Sequence, residues 1–200
     1  TSISRRQVSS TSQQSASVLG RISKVDPTGW GATVLRTDRE NFIRIASAPR
    51  SCLVSSNERA DILASVSETT RVEHSYDIFG NETQTTNLGN KDVSGDENTG
   101  TISYYPNVTD YIVSCPASVQ TYAGVNTTTT LLSMSQNYFD GNATNATPPV
   151  RCALSNQANW MSGAGTFAYT QKAYDAYGNV ISTTDPAGNR TDTIYDTATN

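Results

Sequence analysis

Apolar and polar residues alternate in short runs along this chain, and no long stretch recurs at the three-to-four spacing of an amphipathic helix. The clearest run is Glu68-Thr69-Thr70-Arg71-Val72-Glu73-His74-Ser75-Tyr76, which predicts a strand. Asp77-Ile78-Phe79-Gly80-Asn81 follows as a turn, and Glu82 to Thr86 as the returning strand, so the segment reads as a β-hairpin. Its pattern returns: Tyr76 to Thr86 aligns with Tyr174 to Thr184, identical at six of eleven positions, with Phe79 against Tyr177. A compressed version stands at Tyr138-Phe139-Asp140-Gly141-Asn142, and Tyr195-Asp196 opens a further copy 21 residues after Tyr174. Spacing of that size marks a repeat architecture, in which each unit needs a neighbour to cover its face.

The recurring residues have turn and strand chemistry. Asp175 can accept hydrogen bonds from the N–H groups of its turn, and Gly178-Asn179 tolerates the positive φ that reverses the chain. Tyr174 ends a strand with a ring that covers apolar surface while its hydroxyl seeks a polar partner. Asp185-Pro186-Ala187-Gly188-Asn189 forms the opposite turn before Arg190 to Tyr195 run back.

Upstream the pattern is weaker. Residues 1–20 are rich in Ser and Gln and read as a loop or frayed edge. Residues 21–67 read as an irregular β region, with a turn at Val25-Asp26-Pro27-Thr28-Gly29 and short strands at 32–36, 42–46 and 51–55. Residues 58–66 suit two helical turns or a strand equally. The chain starts at Thr1 and ends inside a repeat, so it reads as a fragment, with residues 68–200 as its repeat-bearing part.

Composition supports an all-β reading. Ser and Thr supply 52 residues and Asn 16, while Ile, Leu, Val and Phe together make only 36 of 200, which predicts a thin core. Net charge is −4, too small for repulsion to keep the chain open. Residues 1–72 carry ten basic and six acidic groups, against four and twelve in 73–200. The basic residues are scattered arginines without interleaved aromatics, which argues against nucleic acid as a partner. No apolar run approaches the length of a membrane span, and no signal-peptide pattern is present.

Candidate chemistry is sparse. Cys52, Cys115 and Cys152 leave at least one thiol unpaired, match no zinc pattern and read as structural thiols. His74 is the single histidine, so a zinc site or an imidazole triad would need residues outside this chain. Asp77 and Asp175 invite a paired-carboxylate reading, but their equivalent repeat positions favour turn capping. The acidic loop Asp92 to Glu97 lacks the ligand spacing of an EF-hand. Gly163-Ala164-Gly165 lacks the strand-to-helix setting of a phosphate loop, and no Gly-x-Ser-x-Gly elbow occurs. Six Asn-x-Thr sequons begin at Asn81, Asn107, Asn126, Asn142, Asn145 and Asn189, close to what this composition gives by chance. Trp30, Trp160, Tyr104, Tyr105 and Tyr111 offer rings for packing or for stacking on sugars. No catalytic residue, metal ligand or cofactor is expected.

Tyr174 to Asp196 resembles the YD-repeat, or Rhs, family, whose units read Tyr-Asp-x-x-Gly-Asn, then Thr-x-Asp-Pro-x-Gly-Asn, then Tyr-x-Tyr-Asp. The residues that carry the likeness are Tyr76, Asp77, Gly80 and Asn81, Tyr174, Asp175, Gly178 and Asn179, Asp185, Pro186, Gly188 and Asn189, and Tyr195 with Asp196. The first tyrosine of the closing pair is missing, since Thr193 stands there. The longer span from about 68 to 200 is similar to the middle to C-terminal part of the B component of insecticidal toxin complexes. The likeness continues through Asp92 to Glu97, Tyr104-Tyr105-Pro106-Asn107, Tyr111-Ile112-Val113 and Pro116-Ala117-Ser118-Val119. It implies antiparallel hairpins winding into part of a hollow β-shell, a secreted or cell-surface location, and partners that are shell halves, other toxin-complex subunits and an enclosed toxin polypeptide. The family's self-cleaving aspartate region finds no match here. A cell-surface carbohydrate-binding module is the alternative.

Overall fold

A computed structural model describes residues 15–18, 22–25, 34–44, 52–63, 66–162 and 164–195. Among these residues there are thirteen strands and no helix, and the strand pairings within residues 15–90 and within residues 131–192 are antiparallel. The chain divides into two compact units, one taking residues up to Gly100 with Tyr122–Thr130, the other Thr101–Thr121 with Leu131 onward.

In the first unit β3 (Val34–Arg44) pairs with β4 (Cys52–Leu63) from Val34↔Leu63 to Arg44↔Cys52. The next strands, β5 (Val66–Tyr76) and β6 (Glu82–Asn90), extend the ladder. On its other side β3 receives both β1 (Ser15–Val18) and β2 (Ile22–Val25). Two expectations are corrected here, and one left open is decided. Ser15–Val18 is a strand rather than loop, because pairing with Glu40 to Ile43 outweighs its Ser-rich composition. The short candidates at 32–36, 42–46 and 51–55 merge into two long strands. Of the two readings open for residues 58–66, Glu58 to Leu63 takes the strand, since β3 and β5 take its backbone groups from both sides. The turn expected at 25–29 runs outside the described residues after Val25.

The second unit holds most of β7 (Asn98–Tyr104) and β8 (Pro116–Ala123), then β9 (Leu131–Phe139) and β10 (Leu154–Met161), followed by β11 (Thr166–Tyr174), β12 (Val180–Thr184) and β13 (Arg190–Asp192). Successive strands from β9 onward pair in sequence order. Cys115 and Cys152 form a disulfide with a Cα separation of 6.2 Å, which corrects the reading of both as thiols. The bridge ties the residues before β8 to the long β9–β10 loop, 37 positions away in sequence.

Burial is shallow among the residues whose side chains are described. The buried apolar residues among them are Cys115, Ala117, Phe139 and Ala158, all of the second unit. In the first unit the buried side chains among them are the hydroxyl residues Ser56, Thr86 and Thr99. Thr99, the most enclosed, donates its hydroxyl to the Gly124 carbonyl at 2.8 Å, as a buried polar group requires. Hydroxyls can stand where a thick core would need aliphatics because ladder hydrogen bonds, rather than a dense interior, organise these strands.

Candidate functional site

The repeated segments build one structure three times. In the β5–β6 turn, Asp77 Oδ1 accepts the N–H of Phe79 and of Asn81, both at 2.9 Å, while Oδ2 accepts the Asn81 side-chain amide at 2.8 Å. Asp175 does the same in the β11–β12 turn, with Tyr177 N and Asn179 N at 2.9 and 2.8 Å and the Asn179 amide at 2.9 Å. Asp185 repeats it in the β12–β13 turn with Ala187 N, Asn189 N and the Asn189 amide at 2.9, 2.8 and 2.8 Å. In each turn the Asp N–H also donates to the Asn carbonyl and the Gly N–H to the Asp carbonyl. Gly80, Gly178 and Gly188 stand at φ of 92°, 90° and 87°, a region closed to most side chains.

This geometry explains the sequence pattern position by position. The shared donors are the N–H groups of the first, third, fourth and fifth residues, so the second position accepts Pro186, which has none. Asp175 and Asp185 are held below the usual carboxylate range, first by the side-chain amides of Asn179 and Asn189 and then by backbone N–H groups. The three turns share Asp-x-x-Gly-Asn, a signal visible in the sequence, and the 185–189 turn stands at the other end of β12 from the 175–179 turn.

Each copy is also clamped by a tyrosine. Tyr76 donates its hydroxyl to the Val54 carbonyl at 2.8 Å, Tyr174 to Leu154 at 2.8 Å and Tyr195 to Val180 at 3.1 Å. The last ladder pairs nearby are Ser56↔Glu73, Asn156↔Gln171 and Ser182↔Asp192. In all three, the acceptor therefore lies two residues before the last pair and the tyrosine three residues after it. The hydroxyl takes a carbonyl just beyond the end of the ladder between its two strands. Burial pushes the Tyr76 and Tyr174 hydroxyls up, and the Glu82 charge adds to the effect on Tyr76, so both remain donors through neutral pH.

The segment at 138–142 is not a smaller copy. Asp140, at φ 58°, reaches forward along the chain: its Oδ2 accepts Val150 N and Arg151 N at 2.6 and 3.0 Å and its Oδ1 accepts Ala153 N at 3.1 Å. Burial pushes this carboxyl up, but the backbone N–H groups of Arg151, Val150, Ala153 and Cys152 outweigh it and hold the group low. Tyr138 donates to Gln136 rather than to a carbonyl. The spacing differs because this Asp anchors the disulfide-bearing loop. Asp196 lies outside the described residues.

The fold also assembles a cluster that the sequence does not announce. Opposed on β5 and β6, His74 faces Thr85 and Tyr76 faces Glu82. His74 Nδ1 and Thr85 Oγ1 both meet Glu82 Oε1, at 2.5 and 2.6 Å. Burial pushes the Glu82 carboxyl up, yet the hydrogen bonds from Thr85 and His74, with the His74 charge, leave it below the usual range. His74 Nε2 is buried without a partner. The Thr85 hydroxyl bonds to the carboxylate and not to the imidazole, so the cluster lacks the nucleophile-to-base contact of a triad.

The remaining candidates are dispersed. Asp77 and Asp175 belong to different units, and both oxygens of each are engaged within their own turns. In the acidic loop, Asp96 accepts the Asn90 N–H and Glu97 the Gly95 N–H. Among the described residues, no group of three or more His, Cys, Asp or Glu is placed to hold a metal ion. Asn81, Asn107, Asn145 and Asn189 of the six sequons donate their side-chain amides to protein acceptors. Trp160 sits in β10 opposite Phe167, Tyr111 is exposed, and Trp30 lies outside the described residues.

No family model matches this chain, and no curated protein matches it either. What the chain offers is therefore its own geometry: one turn built three times, and a clamp that accompanies it at Tyr76, Tyr174 and Tyr195.

Proposed function

We propose that the chain is a non-enzymatic wall segment of a hollow β-shell, of the Rhs or toxin-complex kind, that encloses or scaffolds a partner polypeptide. The observation that carries this reading is the recurrence of one hydrogen-bonded turn and tyrosine clamp in both units. Residues spent on reversing and fixing strands are residues of construction, and the Asp carboxylates of the repeat are already occupied by donors from their own turns. A wall with a spacious side needs few aliphatic residues, which suits the shallow burial among the described residues.

The test is protease protection. The protein as its gene encodes it is purified without denaturant and digested. A second polypeptide, or a second part of the same chain, is expected to resist digestion until urea unfolds the wall. A protein that shields nothing, or one whose Asp77→Asn and Asp175→Asn forms lose a measured turnover while keeping their stability, refutes the reading.

A further inference from the structure

Charge is almost absent from one long part of the chain. Residues 111–171 contain two charged side chains, Asp140 and Arg151, although 16% of the chain is charged and about ten would be expected. Asp140 is taken up by its own loop, both oxygens accepting backbone N–H groups. β8, β9 and β10 lie inside this span and carry no charge at all, whereas β3 alone carries five charged residues. Charges in a strand ordinarily keep like strands of separate molecules apart, because stacking in register sets each charge against its own copy. β9 has no such guard.

The same strand is suited to stack on itself. Its nine residues include no Pro and no Gly. In an extended strand Leu132, Met134, Gln136 and Tyr138 fall on one face and Ser133, Ser135 and Asn137 on the other. A row of long side chains opposite a row of short ones lets two sheets interdigitate without a void, and Gln136 and Asn137 add amide ladders along the stack. In the folded chain neither edge of β9 is offered, since β10 pairs with it on one side and β8 neighbours it on the other. Asn137 is buried there, donating to the Pro116 carbonyl at 2.8 Å and accepting the Gln157 amide at 3.2 Å. The Cys115–Cys152 bridge closes the chain around β8 and β9, which both lie wholly between the two cysteines.

We infer that β9 is a self-recognition segment whose partner is a second copy of this chain, and that the Cys115–Cys152 bridge keeps it closed. A dithiol converts the bridge to two thiols, supplying two electrons and two protons and closing its own disulfide. Releasing a loop closed over 37 positions raises the population of opened chains roughly 500- to 1,000-fold. Opened β9 strands of separate copies then pair edge to edge, in register, into a cross-β assembly. The inference stands apart from the wall reading: a chain that shields nothing assembles in this way all the same, and a shielding wall whose β9 does not assemble leaves the wall reading untouched.

Thioflavin T fluorescence and pelleting of the 1–200 chain, with and without dithiothreitol, test it, in a Cys52→Ser background so that no third thiol cross-links copies. The oxidised chain is expected to stay in solution, and the reduced chain to pellet with a thioflavin signal and a diffraction spacing of about 4.7 Å. Leu132→Lys and Ser133→Lys, both at exposed positions, set a charge against its copy at every step of the stack and are expected to lengthen the lag of the reduced chain at least about tenfold. Net charge is −4, so either substitution lowers overall repulsion, and slower assembly reports the place of the new charge. Tyr177→Lys, the same charge at an exposed turn, is expected to leave the lag unlengthened. Cys115→Ser combined with Cys152→Ser is expected to assemble without reductant. Circular dichroism of the oxidised lysine variants shows that the fold is kept. A reduced chain that stays in solution, an oxidised chain that assembles as fast, or a lag indifferent to both β9 substitutions overturns the inference.

Discussion

The three tyrosine clamps allow one interaction to be weighed in three settings of a single chain. Tyr→Phe at positions 76, 174 and 195 removes a hydroxyl and keeps the ring, leaving the carbonyls of Val54, Leu154 and Val180 short of a donor. A net hydrogen bond contributes about 0.5–1.5 kcal/mol, and an unmet buried acceptor costs more than an exposed one. Tyr76 and Tyr174 are half-buried with bonds of 2.8 Å, so water recovers only part of the loss and each substitution should cost about 1 kcal/mol. Tyr195 is 46% exposed with a bond of 3.1 Å, and its substitution should cost under about 0.5 kcal/mol. Tyr76 and Tyr174 belong to different units and share no partner, so the double variant should lose about the sum. Urea unfolding followed by far-ultraviolet circular dichroism reads these differences directly. The hydroxyls of Tyr76 and Tyr174 titrate above their ordinary value, so this stabilisation is intact below the unfolded value of about 10 and fades as pH rises through the folded one. Repeating the series at high pH should shrink the gap between wild type and both Phe variants. If Tyr174→Phe unfolds at the wild-type midpoint, or if all three substitutions cost the same, exposure of the acceptor does not govern the clamp and the reasoning fails.

Other outcomes follow from the turns, from Gly89 and from the disulfide. The carboxyls of Asp175 and Asp185 are depressed in the folded chain, so their contribution is present above the unfolded value of about 3.9 and is lost as pH falls through the folded one. Amide NMR signals of Tyr177 and Ala187 should therefore move only at a pH below that of an ordinary Asp carboxyl, and Asp→Asn should abolish that acid transition. Gly89 stands at φ 55° with the Asp96 carboxylate 2.4 Å from where a Cβ would lie, so Gly89→Ala should destabilise by about 1–3 kcal/mol in urea unfolding. Adding Asp96→Ala should recover the steric part of that loss and leave the backbone part. Reducing Cys115–Cys152 releases a loop closed over 37 positions, which should cost about 4 kcal/mol and lower the thermal midpoint of the second unit in dithiothreitol.

The local devices were legible in the chain because they are made of neighbours. Asp77 reaches Phe79 and Asn81 within five residues, and Gly80 supplies the positive φ, so Asp-x-x-Gly-Asn carries its turn wherever it occurs, Asp185-Pro186 included. The low aliphatic content likewise agrees with the shallow burial of the described residues. Contacts between distant residues were decided only by the fold. Asp140 shares the Asp-Gly-Asn letters yet serves residues ten to thirteen positions ahead, because the β9–β10 loop returns to it. The register of β5 on β6 brings His74 and Thr85 to one Glu82 oxygen, and the loop path brings Cys115 to Cys152, which the count of three cysteines left open. The carbonyl that each tyrosine meets is likewise set by strand pairing. A turn closes through hydrogen bonds within a few residues, so its sequence suffices; register and loop return depend on which distant strands pair, and that is fixed only when they do.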